Sequence, residues 1–238
     1  MLRANKTLIN SLFASALLWA TPLVADTATP FTPFTASYEI DWDGSISLSG
    51  NTTRKLQKNE SGEWFFESKA SAMFASIYES SKFTLDNAKL KPLNYTYKRS
   101  VLGKKRKAEV HFDWQNQLVT NKVENKPWQM PIKEGVQDKI SYQLLLQQAV
   151  AEGEKEFKYS VADGGKLKEY NFIVDGKESI KAPIGEYEAI RVKRVRKEGS
   201  TRQTFIWFAP ELNHQIIKLH QIEKKDKAYT LLLKELKK

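Results

Sequence analysis

The sequence predicts a mainly β fold, a long antiparallel meander forming a curved open barrel or two packed sheets, with one helix near 138–151. Three observations carry that expectation. Apolar and polar residues alternate with period two through most of the chain, as in half-buried strands. Turn-forming residues recur about every ten positions, the spacing of a meander, a sandwich or a barrel. A single stretch near the middle has helical spacing instead.

In chain order, residues 1–25 read as a signal peptide. Arg3 and Lys6 give a positive start, Leu8 to Val24 is largely apolar, and Pro22 precedes Ala25, a small residue suited to cleavage. The apolar run is broken by Asn10, Ser11, Ser15 and Thr21, so it falls short of the roughly 20 apolar residues of a membrane span. No transmembrane segment is expected after signal removal, and the expected location is the periplasm. Residues 26–34, with Pro30 and Pro33 among threonines, form an extended leader. Residues 35–238 are one β-rich domain in two halves, 35–130 and 155–238, around the central helix.

Strands are marked by Tyr95 and Tyr97; by Val110, Phe112 and Trp114; by Tyr170, Phe172 and Val174; and by Ile190 and Val192. Asp43-Gly44, Asn59 to Gly62, Asp163-Gly164-Gly165 and Asp175-Gly176 mark turns. Trp64 to Phe66, Phe205 to Phe208 and Leu231 to Leu233 are apolar on both faces and need cover on each side. A sheet curved around a helix supplies that cover, and so do two packed sheets. Asp138 can cap the helix, Gly153 follows its end, and Tyr142, Leu145, Leu146, Ala149 and Val150 share one face. Lys234 to Lys238 read as a frayed end.

Composition narrows the chemistry. The chain contains no cysteine, which removes disulfides, thiolate metal sites and a lipid-anchored signal. Net charge is +10, and +8 once Arg3 and Lys6 leave with the signal. In an exported chain that charge meets anionic lipid or an envelope polymer rather than nucleic acid. The three histidines are scattered, and His214 and His220 would lie roughly 20 Å apart along a strand. No metal site and no cofactor are expected. Asp41 and Asp43 flank Trp42, a pattern a glycan-active enzyme could use, although Asp43 is also explained by its turn. Trp42, Trp64, Trp114, Trp128 and Trp207 fall mostly on inward faces.

Two basic clusters remain. Lys104, Lys105, Arg106 and Lys107 adjoin a hairpin at Leu102-Gly103, and Arg194 shares a face with Ile190 and Val192 at the rim of the core. These five residues form the expected ligand-binding rim, through contacts to phosphate or carboxylate groups. A competing explanation is charged hairpin ends that discourage edge-to-edge pairing.

Several segments together resemble a family of exported proteobacterial proteins catalogued as a domain of unknown function, over residues about 34–236. They are Phe34 to Glu39, Lys91 to Tyr97, Phe112 to Trp114, Gly135 to Leu144, Pro183 to Ala189 and Trp207 to Leu212. The resemblance implies a β-rich envelope protein and carries no activity, cofactor or catalytic residue. The functional expectation is a non-enzymatic periplasmic binding or carrier protein for an amphiphilic or envelope-derived ligand. The alternatives are an envelope scaffold or interaction module binding protein or cell-wall polymer, and, less favoured, a glycan-active enzyme.

Overall fold

The computed structural model describes residues 30–43, 48–123, 126–224 and 227–238. The expected signal peptide, residues 1–25, and residues 44–47 of the serine-rich string lie outside the described residues.

Strands β1 (Phe34–Asp43), β2 (Leu48–Lys58), β3 (Trp64–Ala72), β4 (Ala75–Asp86), β5 (Lys89–Val101), β6 (Lys104–Asp113), β7 (Leu118–Val123) and β8 (Lys126–Pro131) make up the first half. Helix α1 (Ser141–Ala151) follows. Then come β9 (Glu156–Asp163), β10 (Lys166–Ala182), β11 (Gly185–Val195), β12 (Gln203–Ala209), β13 (Gln215–Lys224) and β14 (Lys227–Lys237).

The two halves are neither separate sheets nor subdomains. Among the described residues all strands belong to one 14-stranded antiparallel sheet, ordered β8 to β1 and then β14 to β9. It curls without closing into a barrel, so β8 and β9 are its edges. The first and last strands join the halves, pairing from Thr35↔Lys237 to Asp43↔Ala228. The expected fraying of Lys234 to Lys238 is therefore overturned: β14 continues to Lys237, because β1 presents a free ladder along its whole length. Asp175-Gly176 is not a turn either. β10 runs through it, and Gly176, at φ 131°, forms a bulge where the register with β11 shifts.

Alternation places one face of this sheet on the concave side, and α1 fills it. Tyr142, Leu146 and Val150 pack with Tyr38 of β1 and with the inner residues of β9 to β14, including Phe172, Ile206 and Leu233. Ile140 and Leu144 pack with those of β2 to β7, including Trp64, Phe66, Phe83 and Phe112. The helix is thus apolar on two sides. The single expected face is corrected accordingly: Leu144 is buried, while Leu145 and Ala149 are half-buried. The polar residues Gln143, Gln147 and Gln148 are left half-buried between these two apolar sides.

Polar groups fix the helix in place. It begins at Ser141, and Asp138 caps it from three residues upstream. Asp138 Oδ1 accepts the backbone N–H groups of Ile140 at 2.9 Å and Ser141 at 2.8 Å. Ser141 Oγ accepts the Asp138 N–H at 3.0 Å, and Ser81 on β4 donates to Asp138 Oδ2 at 2.5 Å. At the far end Gly153, at φ 87°, reverses the chain. Its N–H meets the Val150 carbonyl and that of Glu154 meets the Ala149 carbonyl, a Schellman closure. Along the helix, Gln143 accepts Arg54 Nη2 at 2.6 Å and Gln147 donates to the Asn213 carbonyl at 3.1 Å.

Asp138 is fully buried, and desolvation pushes its carboxyl up to about 6 against the opposing pull of Ser81 and the two backbone N–H groups. Its unfolded value is about 3.9. Between those values the folded state holds a proton that the unfolded state has lost, so this contribution to stability is full below the window and lost as pH rises through 6. Its size is at most about 3 kcal/mol. Urea titrations from pH 4 to 7 should show Asp138→Asn flattening this fall, and an unchanged pH slope would refute the assignment. Asp138→Ala, which strands two N–H groups and a hydroxyl, should cost about 2–4 kcal/mol. Leu146→Ala, at the helix centre, should cost about 2–5 kcal/mol in the same measurement.

Candidate functional site

The curled sheet leaves a seam where its edges approach. Residue Gln137, ahead of the helix, bridges to β9: its N–H donates to the Ser160 carbonyl at 2.8 Å and its carbonyl accepts the Ala162 N–H at 2.8 Å. On the other edge Trp128 of β8 lies over Gly165 in the β9–β10 turn, where an added Cβ would sit 3.6 Å from the indole. Trp128 is therefore not an inward core residue as expected. It is 60% exposed, because β8 is an edge strand and its indole spans the seam.

A half-open crevice of about 170 Å³ opens along this seam. Tyr95, Tyr97, Ala108, Val110 and Val123 supply aromatic and apolar wall, and Ala162 and Asp163 of β9 close it with Gly164 of the following turn. Its polar groups are Arg106 on β6, Lys139 just before the helix, Asp163, and Asn121 on β7. Strand register explains their convergence. Tyr95, Tyr97 and Arg99 share the concave face of β5, opposite Val110, Ala108 and Arg106 of β6.

Each charged group has a definite environment. Lys139 Nζ lies 5.2 Å from the Tyr97 ring centroid and 4.0 Å from Glu79 Oε1. Glu79 in turn accepts the Tyr95 hydroxyl, whose ionisation is pushed far up, first by desolvation and then by the Glu79 charge. Asp163 receives Lys168 Nζ at 2.7 Å and the Tyr170 hydroxyl at 3.1 Å. Burial alone would raise its carboxyl, but the Lys168 hydrogen bond and the Lys139 charge outweigh burial and hold it below its ordinary value. Arg106 stands directly opposite Arg99 across the hairpin. Like charges so placed oppose folding by about 0.2–1 kcal/mol. The Asn121 amide is buried and its Oδ1 has no partner. Arg106 and Lys139 thus present cations beside an aromatic wall, with the Asp163 carboxylate and the Asn121 oxygen as acceptors in the same crevice.

The expected rim is split by the structure. Arg106 lines the crevice. Arg194 does not, but it stands at the same neighbourhood: its guanidinium stacks 3.4 Å from the ring centroid of Tyr170, which holds Asp163. Lys104 and Lys105 lie beyond, at the exposed end of the hairpin. Lys107 faces outward and pairs with Glu109 at 2.8 Å. Sequence reading missed Lys139, Asn121 and Asp163 as site residues. In the sequence Asp163 reads only as part of a turn, and Lys139 and Asn121 lie in no chemical motif.

Other candidates stay apart. Asp41 is exposed, accepts the Ser49 hydroxyl at 3.3 Å, and lines no cavity described here; the Asp43 side chain lies outside the described residues. His111 meets Asn94 at 2.9 Å, His220 meets Thr230 at 2.9 Å, and His214 sits in the turn before β13. Among the described residues no three His, Asp or Glu groups gather as a metal site, and no helix is long and apolar enough to cross a membrane. A second cavity of about 180 Å³ lies at the opposite end, between the leader at Phe31 and the last turn of α1.

A single curled antiparallel sheet around one helix defines a β-barrel-like domain. A crystal structure of a β-barrel-like protein of the domain of unknown function DUF1849, from Brucella abortus, shares this fold: TM-score 0.58 and 10% identity, covering 88% of this chain and 98% of that one. The sequence assigns the family. Residues 37–233 match DUF3108, a protein family of unknown function, and the chain belongs to it. No curated protein matches the chain in sequence.

Asn121 offers a direct check on the crevice. Removing an unpartnered buried amide relieves a desolvation penalty of about 1–3 kcal/mol. Asn121→Leu should therefore melt at or above the parent temperature, by about 2–4 °C per kcal/mol gained. A clear drop in melting temperature would show that the amide stabilises the fold.

Proposed function

We propose that the protein is a non-enzymatic binding protein of the cell envelope, exported to the periplasm by its amino-terminal signal. In this reading it holds an envelope-derived amphiphile by an anionic head group in the seam crevice. The observation that carries it is the meeting of Arg106 and Lys139 in one crevice beside the Tyr97 ring. Arg106 opposes Arg99 at a cost in stability that an anion between them would relieve.

Size limits the ligand. A cavity of about 150 Å³ takes a molecule the size of benzene, whereas drug-sized ligands occupy roughly 300–1,000 Å³. The crevice, at about 170 Å³, fits a head group. The concave interior that would sequester a long acyl chain is occupied by α1. The amphiphile is accordingly gripped at its polar end, with its chain along the apolar wall of the seam.

Calorimetric titration tests this with glycerol 1-phosphate and with lysophosphatidylglycerol below its micelle concentration. Both should bind, and Arg106→Ala or Lys139→Ala should each weaken binding by roughly tenfold, the value of one charge-assisted hydrogen bond. Binding of lysophosphatidylcholine as tight as that of lysophosphatidylglycerol would overturn the anionic-head reading. So would affinities that neither substitution changes.

A further inference from the structure

Two neighbouring hairpins at one end of the sheet reach beyond the core. Met73 and Phe74 form the tip between β3 and β4, and Leu102 the tip between β5 and β6; they are 78%, 61% and 75% exposed. The Leu102 N–H donates to the Phe74 carbonyl at 3.0 Å, which joins the tips into one apolar patch. Leu102 also sits at φ 48°, a left-handed position that Asn or Gly fills with less strain in such a turn. A leucine there brings strain and exposed apolar surface together, and neither serves the fold.

Cations surround the patch. Within 69–79 and 97–109 there are seven Lys or Arg residues and two Glu residues, and of the seven Lys69 is paired with Glu67 at 2.8 Å. Both acids are engaged, Glu79 by the Tyr95 hydroxyl and Glu109 by Lys107. Lys98, Arg99, Lys104, Lys105 and Arg106 are exposed, and Lys98 faces Lys107 as Arg99 faces Arg106. Protection of a sheet edge does not explain them, because β3 to β6 are all interior strands of the sheet.

We infer that this end of the molecule docks on an anionic phospholipid bilayer. Met73, Phe74 and Leu102 enter the boundary between head groups and acyl chains, and the flanking cations meet lipid phosphates. Three apolar side chains make a reversible contact, and exposed cations make it sensitive to salt. The inference goes beyond the crevice reading and does not rest on it, since Met73, Phe74, Leu102, Lys104 and Lys105 line no part of the crevice and Arg106 alone borders both.

Vesicle sedimentation of the chain lacking its signal tests the docking. Vesicles of phosphatidylglycerol and phosphatidylethanolamine should bind at least tenfold more tightly than phosphatidylcholine vesicles, and binding should weaken at least tenfold as salt rises severalfold. Met73→Ser/Phe74→Ser/Leu102→Ser should lose tenfold or more of this binding with an unchanged melting temperature, and should keep the parent affinity for glycerol 1-phosphate. Lys104→Glu/Lys105→Glu should abolish the preference for anionic vesicles. Lys177→Glu/Lys181→Glu, on β10, should not. The inference falls if anionic vesicles are not bound, if neutral vesicles bind equally, or if the triple substitution leaves binding unchanged. It falls too if only the charge reversals matter, since the apolar tips would then stay out of the lipid.

Discussion

The structure depends on filling the concave face of its sheet. A long antiparallel sheet with strong right-handed twist curls, and its inner face becomes a trough of aromatic and aliphatic side chains that must be covered. Helix α1 provides that cover from within. Its Leu146 contacts one side of the trough and its Leu144 the other, so two clusters that do not share strands β2 and β12 are joined through 11 residues of helix. With no cysteine in the chain to staple the ends, packing around this helix carries the cohesion of the fold.

The helix's position then determines where room is left. It runs from Asp138, against Ser81 in the middle of β4, towards the turn at Asn213. Its apolar body therefore fills the half of the trough nearest that turn. The seam beside its first turn is lined instead by Tyr97, Arg106 and Lys139. Closure of the sheet by a direct β8–β9 ladder would have erased this seam. The chain closes it only locally, through Gln137 on one edge and Trp128 on the other. An open barrel and a polar crevice are thus two descriptions of one constraint, the failure of the edges to pair.

Much of this was legible in the sequence because alternation reports which side of a strand is buried. Phe112, Phe172 and Val192 are inward as their spacing indicates, and the helix lies where the period changes. Strand order was not legible, because a period-two pattern says nothing about which strand is its neighbour, and the meeting of β1 with β14 joins the two ends of the chain. Gly176 misled for a related reason. An Asp-Gly pair serves a turn or a bulge equally well, and the 17-residue β10 has apolar residues on both sides of it. Trp128 misled because an edge strand has one neighbour and less cover. The site was least legible, since Lys139, Asn121 and Arg106 come from three segments that only the curl brings together.

The treatment of buried polar groups separates structural demand from the crevice. Deep in the trough Arg54 is buried, yet Gln143 accepts its Nη2 and the Phe66 ring lies 5.0 Å beneath it. Tyr38 donates to the Ile216 carbonyl at 3.1 Å and accepts from Gln215 at 3.4 Å. Where a buried atom such as Gln137 Oε1 or Asn171 Oδ1 lacks a partner, the nitrogen of the same amide is bonded. Asn121 breaks that pattern among the buried amides: its Oδ1 is unpartnered, and its side chain borders open volume rather than packed core. Thr52 Oγ1 is likewise buried and unpartnered, so what sets Asn121 apart is its place beside open volume in the company of Arg106 and Lys139.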